Sequence, residues 1–223
     1  MSIKDNLNFF NEKLGDNTKL VAVSKTKPNE MIMEAYNCGQ RIFGENKVQA
    51  LIERVDDLPK DIEWHFIGHL QRNKVKFIAP FVDTIHAVDS LRLLKEIEKQ
   101  AKANSRKIKC FLQFHIAAEE SKFGLNFEEA RQILLSDEFK SMAFVQIAGV
   151  MGMATFTDDL LKVRNEFKTL KRYFDSIKEE FFYDHEGFTE ISMGMTNDYK
   201  IAIEEGSTII RIGTAIFGER EKH

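Results

Sequence analysis

Short apolar runs alternate with amphipathic stretches along most of the chain. Ile3, Leu7, Phe10 and Leu14 recur at spacings of three and four, which indicates an opening helix. Eight apolar runs follow, and we predict a strand for each: Leu20–Ser24, Arg41–Gly44, Glu63–Ile67, Thr84–Val88, Ile108–Phe114, Ile147–Met151, Thr189–Ser192 and Thr208–Ile212. Because helical stretches separate the strands, we expect the strands to be parallel.

The clearest helical stripe lies between the sixth and seventh strands. Its apolar positions are Leu160, Val163, Phe167, Leu170, Phe174, Ile177 and Phe181. A coiled coil would show the same spacing, but the surrounding strand and helix alternation favours a helix packed on a sheet. Eight strands is the barrel number. We therefore predict an α/β protein, a single (β/α)8 TIM barrel with an additional N-terminal helix, forming one domain over residues 1–223.

The main alternative to a barrel is an open, doubly wound sheet. Such a sheet is expected to carry a glycine-rich fingerprint in its first strand-to-helix turn. The segment Lys25–Pro28 contains no glycine, so the barrel is favoured.

Composition excludes several broad classes of protein. With 32 basic and 35 acidic residues, the net charge of −3 offers no bulk attraction to nucleic acid or to a membrane surface. No stretch resembles a signal peptide or a membrane-spanning run, so we expect a soluble, cytoplasmic protein. Cys38 and Cys110 are expected to be reduced thiols. A closed barrel leaves no sheet edge exposed, and we therefore expect a monomer.

A lysine follows the first predicted strand, in the motif LVAVSKTKP. Lys25 shares parity with Val21 and Val23, so its side chain is expected to face the barrel mouth. Partial desolvation there would favour the neutral amine that attacks an aldehyde. A solvated loop lysine is the competing interpretation. Lys27 is expected to face solvent or to contact a phosphate.

Two further motifs follow the second and third strands. In FGENKVQ, Asn46 is positioned to hydrogen-bond a ligand or to cap the next helix. In EWHFIGHLQRNK, His65 and His69 are four residues apart, a spacing that converges on a helix. Because the segment has the pattern of a strand, the sequence does not favour a metal site.

The ends of the last two strands, ISMGMTND and IIRIGTAIFG, suggest an anion site. Gly194 and Gly213 expose backbone N–H groups, while Ser192, Thr196 and Thr214 supply hydroxyls near the starts of predicted helices. In (β/α)8 enzymes these two strand ends frequently bind phosphate. Arg211, on an otherwise apolar strand, would need a partner if buried, and an internal salt bridge is one candidate.

Taken together, these motifs resemble the pyridoxal phosphate homeostasis protein family, whose fold is the barrel of the alanine racemase N-terminal domain. The matching segments cover nearly the whole chain and are LVAVSKTKP, FGENKVQ, WHFIGHLQ, ESKFGL, SMGM and RIGTAIFGER. The resemblance implies that pyridoxal 5′-phosphate (PLP) is held as a Schiff base on Lys25, with Asn46 near its ring. It also implies that Arg211 faces the pyridine nitrogen.

The resemblance assigns the phosphate to the last two strand ends, with the contacts Ser192, Gly194, Gly213 and Thr214. It further points to rim lysines at Lys74 and Lys122. In QFHIAAEES the chain departs from the family's usual pattern at His115 and Ala117, where Asn and Ser or Thr are common. Polar contacts from the fifth strand are therefore left open.

Three functions are compatible with these residues. The first is a non-enzymatic PLP carrier or buffer in vitamin B6 homeostasis that supplies PLP-dependent apo-enzymes, and it is the function the resemblance favours. The second is a PLP-dependent amino-acid racemase, which needs an acid/base group on each face of its substrate. The third is a Schiff-base aldolase in which Lys25 attacks a sugar-phosphate carbonyl directly.

Overall fold

Eight parallel strands close into a barrel in sequence order, as predicted. The structure, a computed structural model, describes residues 2–15, 17–117 and 123–219. The strands are β1 (Lys19–Val23), β2 (Ile42–Glu45), β3 (Glu63–Phe66), β4 (Thr84–Val88), β5 (Ile108–Phe114), β6 (Val145–Gly152), β7 (Glu190–Ser192) and β8 (Ile209–Ile212). β8 closes the barrel on β1, where Lys19 pairs with Ile209.

Helices surround the barrel and connect its strands. They are α1 (Ile3–Lys13), α2 (Asn29–Asn37), α3 (Val48–Val55), α4 (Val75–Ile78), α5 (Leu91–Ala103), α6 (Phe127–Leu135), α7 (Asp137–Lys140), α8 (Leu160–Phe181), α9 (Tyr199–Glu204) and α10 (Thr214–Phe217), with a 3₁₀ turn, η1 (Arg72–Lys74). The predicted N-terminal helix is α1. Ser2 and Asp5 form a reciprocal capping box at its start, which satisfies backbone N–H groups that the helix itself leaves free.

The predicted strands agree with the observed ones to within a residue or two. β4 and β5 match at both ends. The largest difference is at β6, which begins at Val145 because Val145 already pairs with Ile108 of β5. Its first two residues, Val145 and Gln146, are not fully buried, and the polar Gln146 interrupts the apolar run, so the predicted strand begins after it.

Two separate apolar regions stabilise the fold. The larger lies between the sheet and the helices, and in α8 it includes Val163, Phe167 and Leu170. Leu160, by contrast, is exposed, so the buried stripe of α8 begins at the next predicted residue, Val163. The smaller region fills the barrel interior and consists of Val21, Ala87, Phe111, Ala148, Met151 and Ile209. Both ends of this interior open into cavities.

Two further predictions concern the cysteines and the absence of membrane spans. Cys38 and Cys110 are both free thiols, as expected. Burial raises the pKa of Cys110 well above its usual range, which makes it an inert core residue. Within the described ranges, no helix combines the length and the apolar character needed to cross a bilayer.

Candidate functional site

A cavity of about 460 Å³ opens at the carboxyl end of the barrel. That volume lies within the range of small-molecule and cofactor sites. Five predicted site residues line it: Lys25, Asn46, Arg211, Gly213 and Thr214. Among the described residues, the charged lining consists of three cations, Lys25, Lys27 and Arg211, and one carboxylate, Asp198. The cavity is therefore suited to an anionic ligand.

Lys25 lies in the tight turn that follows β1. The backbone N–H of Lys27 donates to the Ser24 carbonyl at 3.0 Å, which closes the turn. Thr26 adopts φ 66°, a left-handed conformation that is strained for a β-branched residue. Lys25 is half-buried on the cavity wall, so its environment differs from that of a fully solvated loop lysine.

A buried ion pair between Glu45 and Arg54 supports this turn from below. Arg54 also donates to the backbone carbonyls of Ser24 at 3.1 Å and Lys27 at 2.6 Å, so it holds both ends of the turn. The Ser24 hydroxyl donates to Glu45 Oε1 at 2.9 Å. Burial raises the pKa of Glu45, and the neighbouring Arg54 charge opposes that rise.

The amino-acid pattern alone did not indicate the ion pair of Glu45 and Arg54. Arg54 lies on α3, where a charged residue normally belongs to the solvated face. Glu45 directly precedes the predicted site residue Asn46, and a carboxylate at the end of a buried strand was the available signal. Glu45 has no exposed surface, and a carboxylate that is buried so completely requires a cation nearby.

Arg211 projects from β8 into the same cavity and is 4% exposed. Its guanidinium donates to Ser192 Oγ at 2.6 Å and to the Gly152 carbonyl at 3.1 Å. No carboxylate oxygen of the described chain lies within 4.0 Å of it, so the proposed internal salt bridge is not formed there. Burial lowers the pKa of Arg211 to about 10, and Asp198 partly offsets this effect. The side chain thus remains a cation at neutral pH.

Gly194 and Gly213 shape the two strand ends that were predicted to bind an anion. Gly194 has φ 95°, and an added Cβ would lie 2.6 Å from Ala202 Cβ, so a side chain cannot be accommodated. A Cβ on Gly213 would lie 3.2 Å from the Val23 carbonyl oxygen, where β8 passes close to β1. Thr214, at the start of α10, is exposed beside this close approach.

Ser192 and Gly194 are the two predicted site residues that the cavity lining does not include. The Ser192 side chain is fully buried and contacts Arg211 and His86. Its hydroxyl therefore lies beneath the cavity, and it reaches the ligand space only through Arg211. Asn46, by contrast, lines the cavity, and α3 begins with Lys47 in the capping position. Asn46 is thus not the helix cap that the alternative interpretation suggested.

Aromatic and polar side chains that the sequence did not predict complete the wall. His69 stacks on Phe123 with ring centroids 4.0 Å apart, and its Nδ1 lies 3.2 Å from Asp89. Gln113 of β5 lines the cavity and donates to the Phe123 carbonyl at 3.0 Å. Phe156, which is 84% exposed, stands at the rim. Lys27 donates to three carbonyls at the end of α10, so its amine is already engaged.

The remaining predicted positions lie away from the cavity. Lys74 is exposed in η1, near the Phe77 ring, and His115 does not line the cavity. Lys122 falls outside the described residues. His65 faces the interior of the barrel and His69 the rim, so the two histidines do not share a face.

The fold and cavity define a class of protein: a closed β/α barrel whose carboxyl end brings a lysine and a buried arginine to one anion-suited cavity. Residues 1–221 match the family model described as alanine racemase, N-terminal domain. The pyridoxal phosphate homeostasis protein of Aquifex aeolicus is 37% identical over 209 residues, covering 93% of this chain and 90% of that protein. The human protein of the same name is 39% identical, covering 91% of this chain and 77% of its own length.

Solved structures agree with these sequence relatives. PipY of Synechococcus elongatus, solved with PLP bound, is 33% identical, with a TM-score of 0.86 over 97% of this chain and 100% of that chain. An alanine racemase of Clostridium difficile, 13% identical, shares the fold with a TM-score of 0.76 over 99% of this chain and 57% of its own. This chain belongs to the pyridoxal phosphate homeostasis protein family.

Proposed function

We propose that this protein binds PLP as a Schiff base on Lys25 and acts as a non-enzymatic carrier or buffer in vitamin B6 homeostasis. The observation that carries the proposal is the convergence of Lys25 and Arg211, from the first and last strands, on one cationic cavity. The names of the relatives and the PLP bound to PipY support it.

The residues of the cavity fit the parts of PLP. The cofactor supplies an aldehyde, and the half-buried Lys25 amine is positioned to attack it. Asn46, on the same cavity wall, would lie near the ring. The backbone at Gly213 and the Thr214 hydroxyl, both on the cavity wall, would hold the phosphate, and Gly194 would shape the adjoining strand end. Ser192 acts indirectly, by supporting Arg211.

Arg211 selects the ring form that suits storage. A guanidinium can only donate hydrogen bonds, so the group opposite it must accept. A pyridine nitrogen accepts only when it is unprotonated, and the buried cation opposes its protonation. An unprotonated ring withdraws electrons weakly, which disfavours carbanion chemistry. The described lining also holds no tyrosine that could serve as a second acid/base group for racemization.

We infer a monomer in the cytoplasm, since a closed single-domain barrel needs no partner to cover a sheet edge. Its recipients are PLP-dependent apo-enzymes, which would approach the open rim where Phe156 is exposed.

Absorbance spectra before and after borohydride reduction test the site. Wild-type protein incubated with PLP is expected to show an aldimine band, and peptide mass mapping is expected to place the reduced adduct on Lys25. Lys25→Ala should lose the band and the adduct. Lys27→Met removes the other described lysine of the cavity wall but keeps Lys25, so it should retain both. An adduct that persists in Lys25→Ala, or wild-type protein that stays colourless, would contradict the proposal. Trapping only with a keto-sugar phosphate would instead support an aldolase.

A further inference from the structure

A line of polar side chains crosses the otherwise apolar interior of the barrel. His65 Nδ1 lies 2.8 Å from His86 Nε2, and His86 Nδ1 lies 2.9 Å from Ser192 Oγ. Ser192 Oγ in turn lies 2.6 Å from Arg211 Nη1. All four residues are 0 to 4% exposed. We call this set the axial chain, because it joins the cavity at the carboxyl end to the opposite end of the barrel.

The direction of these hydrogen bonds follows from Arg211. A guanidinium has no acceptor, so Arg211 donates and Ser192 Oγ accepts. The single Ser192 hydrogen then points to His86 Nδ1, which makes His86 Nε2–H the donor to His65 Nδ1. The remaining proton of His65 is on Nε2. Each member of the axial chain therefore has its hydrogens assigned.

In the opposite direction, His86 Nδ1–H would donate to Ser192 and His65 Nδ1–H would donate to His86. This arrangement is disfavoured at both ends of the axial chain. It would leave the buried Ser192 hydrogen without an acceptor, because the described structure gives that oxygen no third partner. It would also turn a lone pair of His65 Nε2 toward Asp83 Oδ1, which is 3.8 Å away. Charging either histidine is opposed as well, since burial lowers the pKa of His65 and of His86.

A cluster of possible metal ligands lies at the amino end of the barrel. Ligand atoms of Glu63, His65 and Asp83 lie within 4.8 Å of one another, a spacing that a metal ion could use. A metal ligand must present a lone pair, yet the axial chain places a proton on His65 Nε2. Lys109, 3.4 Å from Asp83, adds a competing positive charge. We therefore assign the cluster no metal; Asp83 faces the Nε2–H of His65 at 3.8 Å, which is too long for a hydrogen bond.

We propose that His65, His86 and Ser192 are positioning residues, forming a hydrogen-bond chain of fixed direction that orients Arg211 in the cavity. Both acceptors of Arg211, the Ser192 hydroxyl and the Gly152 carbonyl, are neutral. The chain thereby holds the guanidinium in place while leaving its charge directed at the ligand space. The consequence for PLP rests on the proposed function, since it takes Arg211 to face the ring nitrogen.

Nitrogen-15 NMR of the imidazole rings tests the direction in the full-length chain without added cofactor. At neutral pH, the two buried histidines are expected to be neutral and protonated on Nε2, with assignments from His65→Gln and His86→Gln. A dominant Nδ1–H form or a charged ring at either position would overturn the proposal. In Ser192→Ala, both neutral tautomers should become populated in His86 and His65, an effect that loss of packing alone does not produce.

Titration with PLP tests the link to the cavity. Ser192→Ala is expected to weaken PLP binding about tenfold, the effect of losing one charge-assisted hydrogen bond. Ser207→Ala is the matched control, because Ser207 is also buried but bonds to carbonyls outside the axial chain. Unchanged binding in Ser192→Ala, or equal weakening in Ser207→Ala, would refute the link. If wild-type protein forms no adduct on Lys25, the proposed function fails while the NMR result stands.

Discussion

The barrel has a charged cavity at each end, and the two differ in how their charges are compensated. The cavity at the carboxyl end measures about 460 Å³ and the one at the amino end about 440 Å³. Lysines line both. At the amino end, Lys19 pairs with Glu190 at 2.5 Å and Lys109 with Asp83 at 3.4 Å. At the carboxyl end, the buried Arg211 has no carboxylate within 4.0 Å in the described chain.

Charge compensation, rather than volume or lysine content, is therefore what distinguishes the two cavities. A cation whose carboxylate is already beside it has little to gain from an anionic ligand. A buried cation that meets only neutral acceptors is stabilised by any acceptor that enters. The two ends therefore make different predictions for otherwise similar substitutions.

The largest expected effect compares one ion pair from each end. Arg54→Met leaves Glu45 buried without its cation, and we expect the free energy of unfolding to fall by about 3–5 kcal/mol. Lys19→Met breaks a pair whose lysine is 55% exposed, so the change should stay within about 1 kcal/mol. Urea denaturation measures both. Similar losses of unfolding free energy in the two variants would mean that burial does not distinguish the two ion pairs.

At the amino end, His65 should make the free energy of unfolding depend on pH. Burial lowers the pKa of His65 from 6.5 to about 4, so the unfolded chain binds more protons than the folded one between these values. Stability is therefore complete above about pH 6.5 and falls as the pH drops toward 4, by on the order of 3 kcal/mol for this group. His65→Gln should flatten the pH dependence of unfolding, while His185→Gln, an exposed site, should not. An unchanged slope in His65→Gln would contradict the assignment.

Ligand affinity separates the two cavities directly. Arg211→Met removes a buried cation with no carboxylate within 4.0 Å in the described chain, and PLP binding is expected to weaken by about 10- to 100-fold. Lys109→Met removes a cation of the amino-end cavity and should change affinity by less than about twofold, since Asp83 already compensates that charge. Fluorescence or absorbance titration gives both numbers. Equal weakening would show that bulk charge, and not the local arrangement, governs binding.

The smallest expected effect sharpens the role of strain in the Lys25 turn. Thr26→Gly relieves φ 66° and should stabilise the fold by about 0.5–1 kcal/mol. Ser105→Gly, at φ 52° in the α5–β5 connection, should give a similar gain. Only Thr26→Gly is expected to weaken PLP binding, because it loosens the turn that carries Lys25. A loss of affinity in Ser105→Gly would contradict a local effect.

Most of the fold could be predicted from the sequence because its signals are local. Buried strands give continuous apolar runs, and β4 and β5 were predicted at both ends. The boundary of β6 was missed because the polar Gln146 interrupts the apolar run, although Val145 and Gln146 already pair with β5. The exposed Leu160 shows the reverse case, in which an apolar residue fits the spacing but lies outside the core.

Prediction of the site was less complete, for a physical reason. Residues directly after strands, such as Lys25 and Asn46, reach the mouth by strand geometry alone. The Glu45–Arg54 pair and the contact of Ser192 with His86 depend on which elements become neighbours in space, and no local pattern records that. The structure places the Ser192 hydroxyl against Arg211 and His86, and its contact with phosphate stays a prediction.

The seam between β1 and β8 has a consequence for the order of folding events. Lys25 follows the first strand and Arg211 belongs to the last, so the two cavity residues meet only when the barrel closes. Contacts this distant in sequence form slowly. During synthesis on the ribosome, a growing chain therefore exposes Lys25 long before Arg211 exists. We therefore expect completed molecules to bind PLP and nascent chains not to bind it.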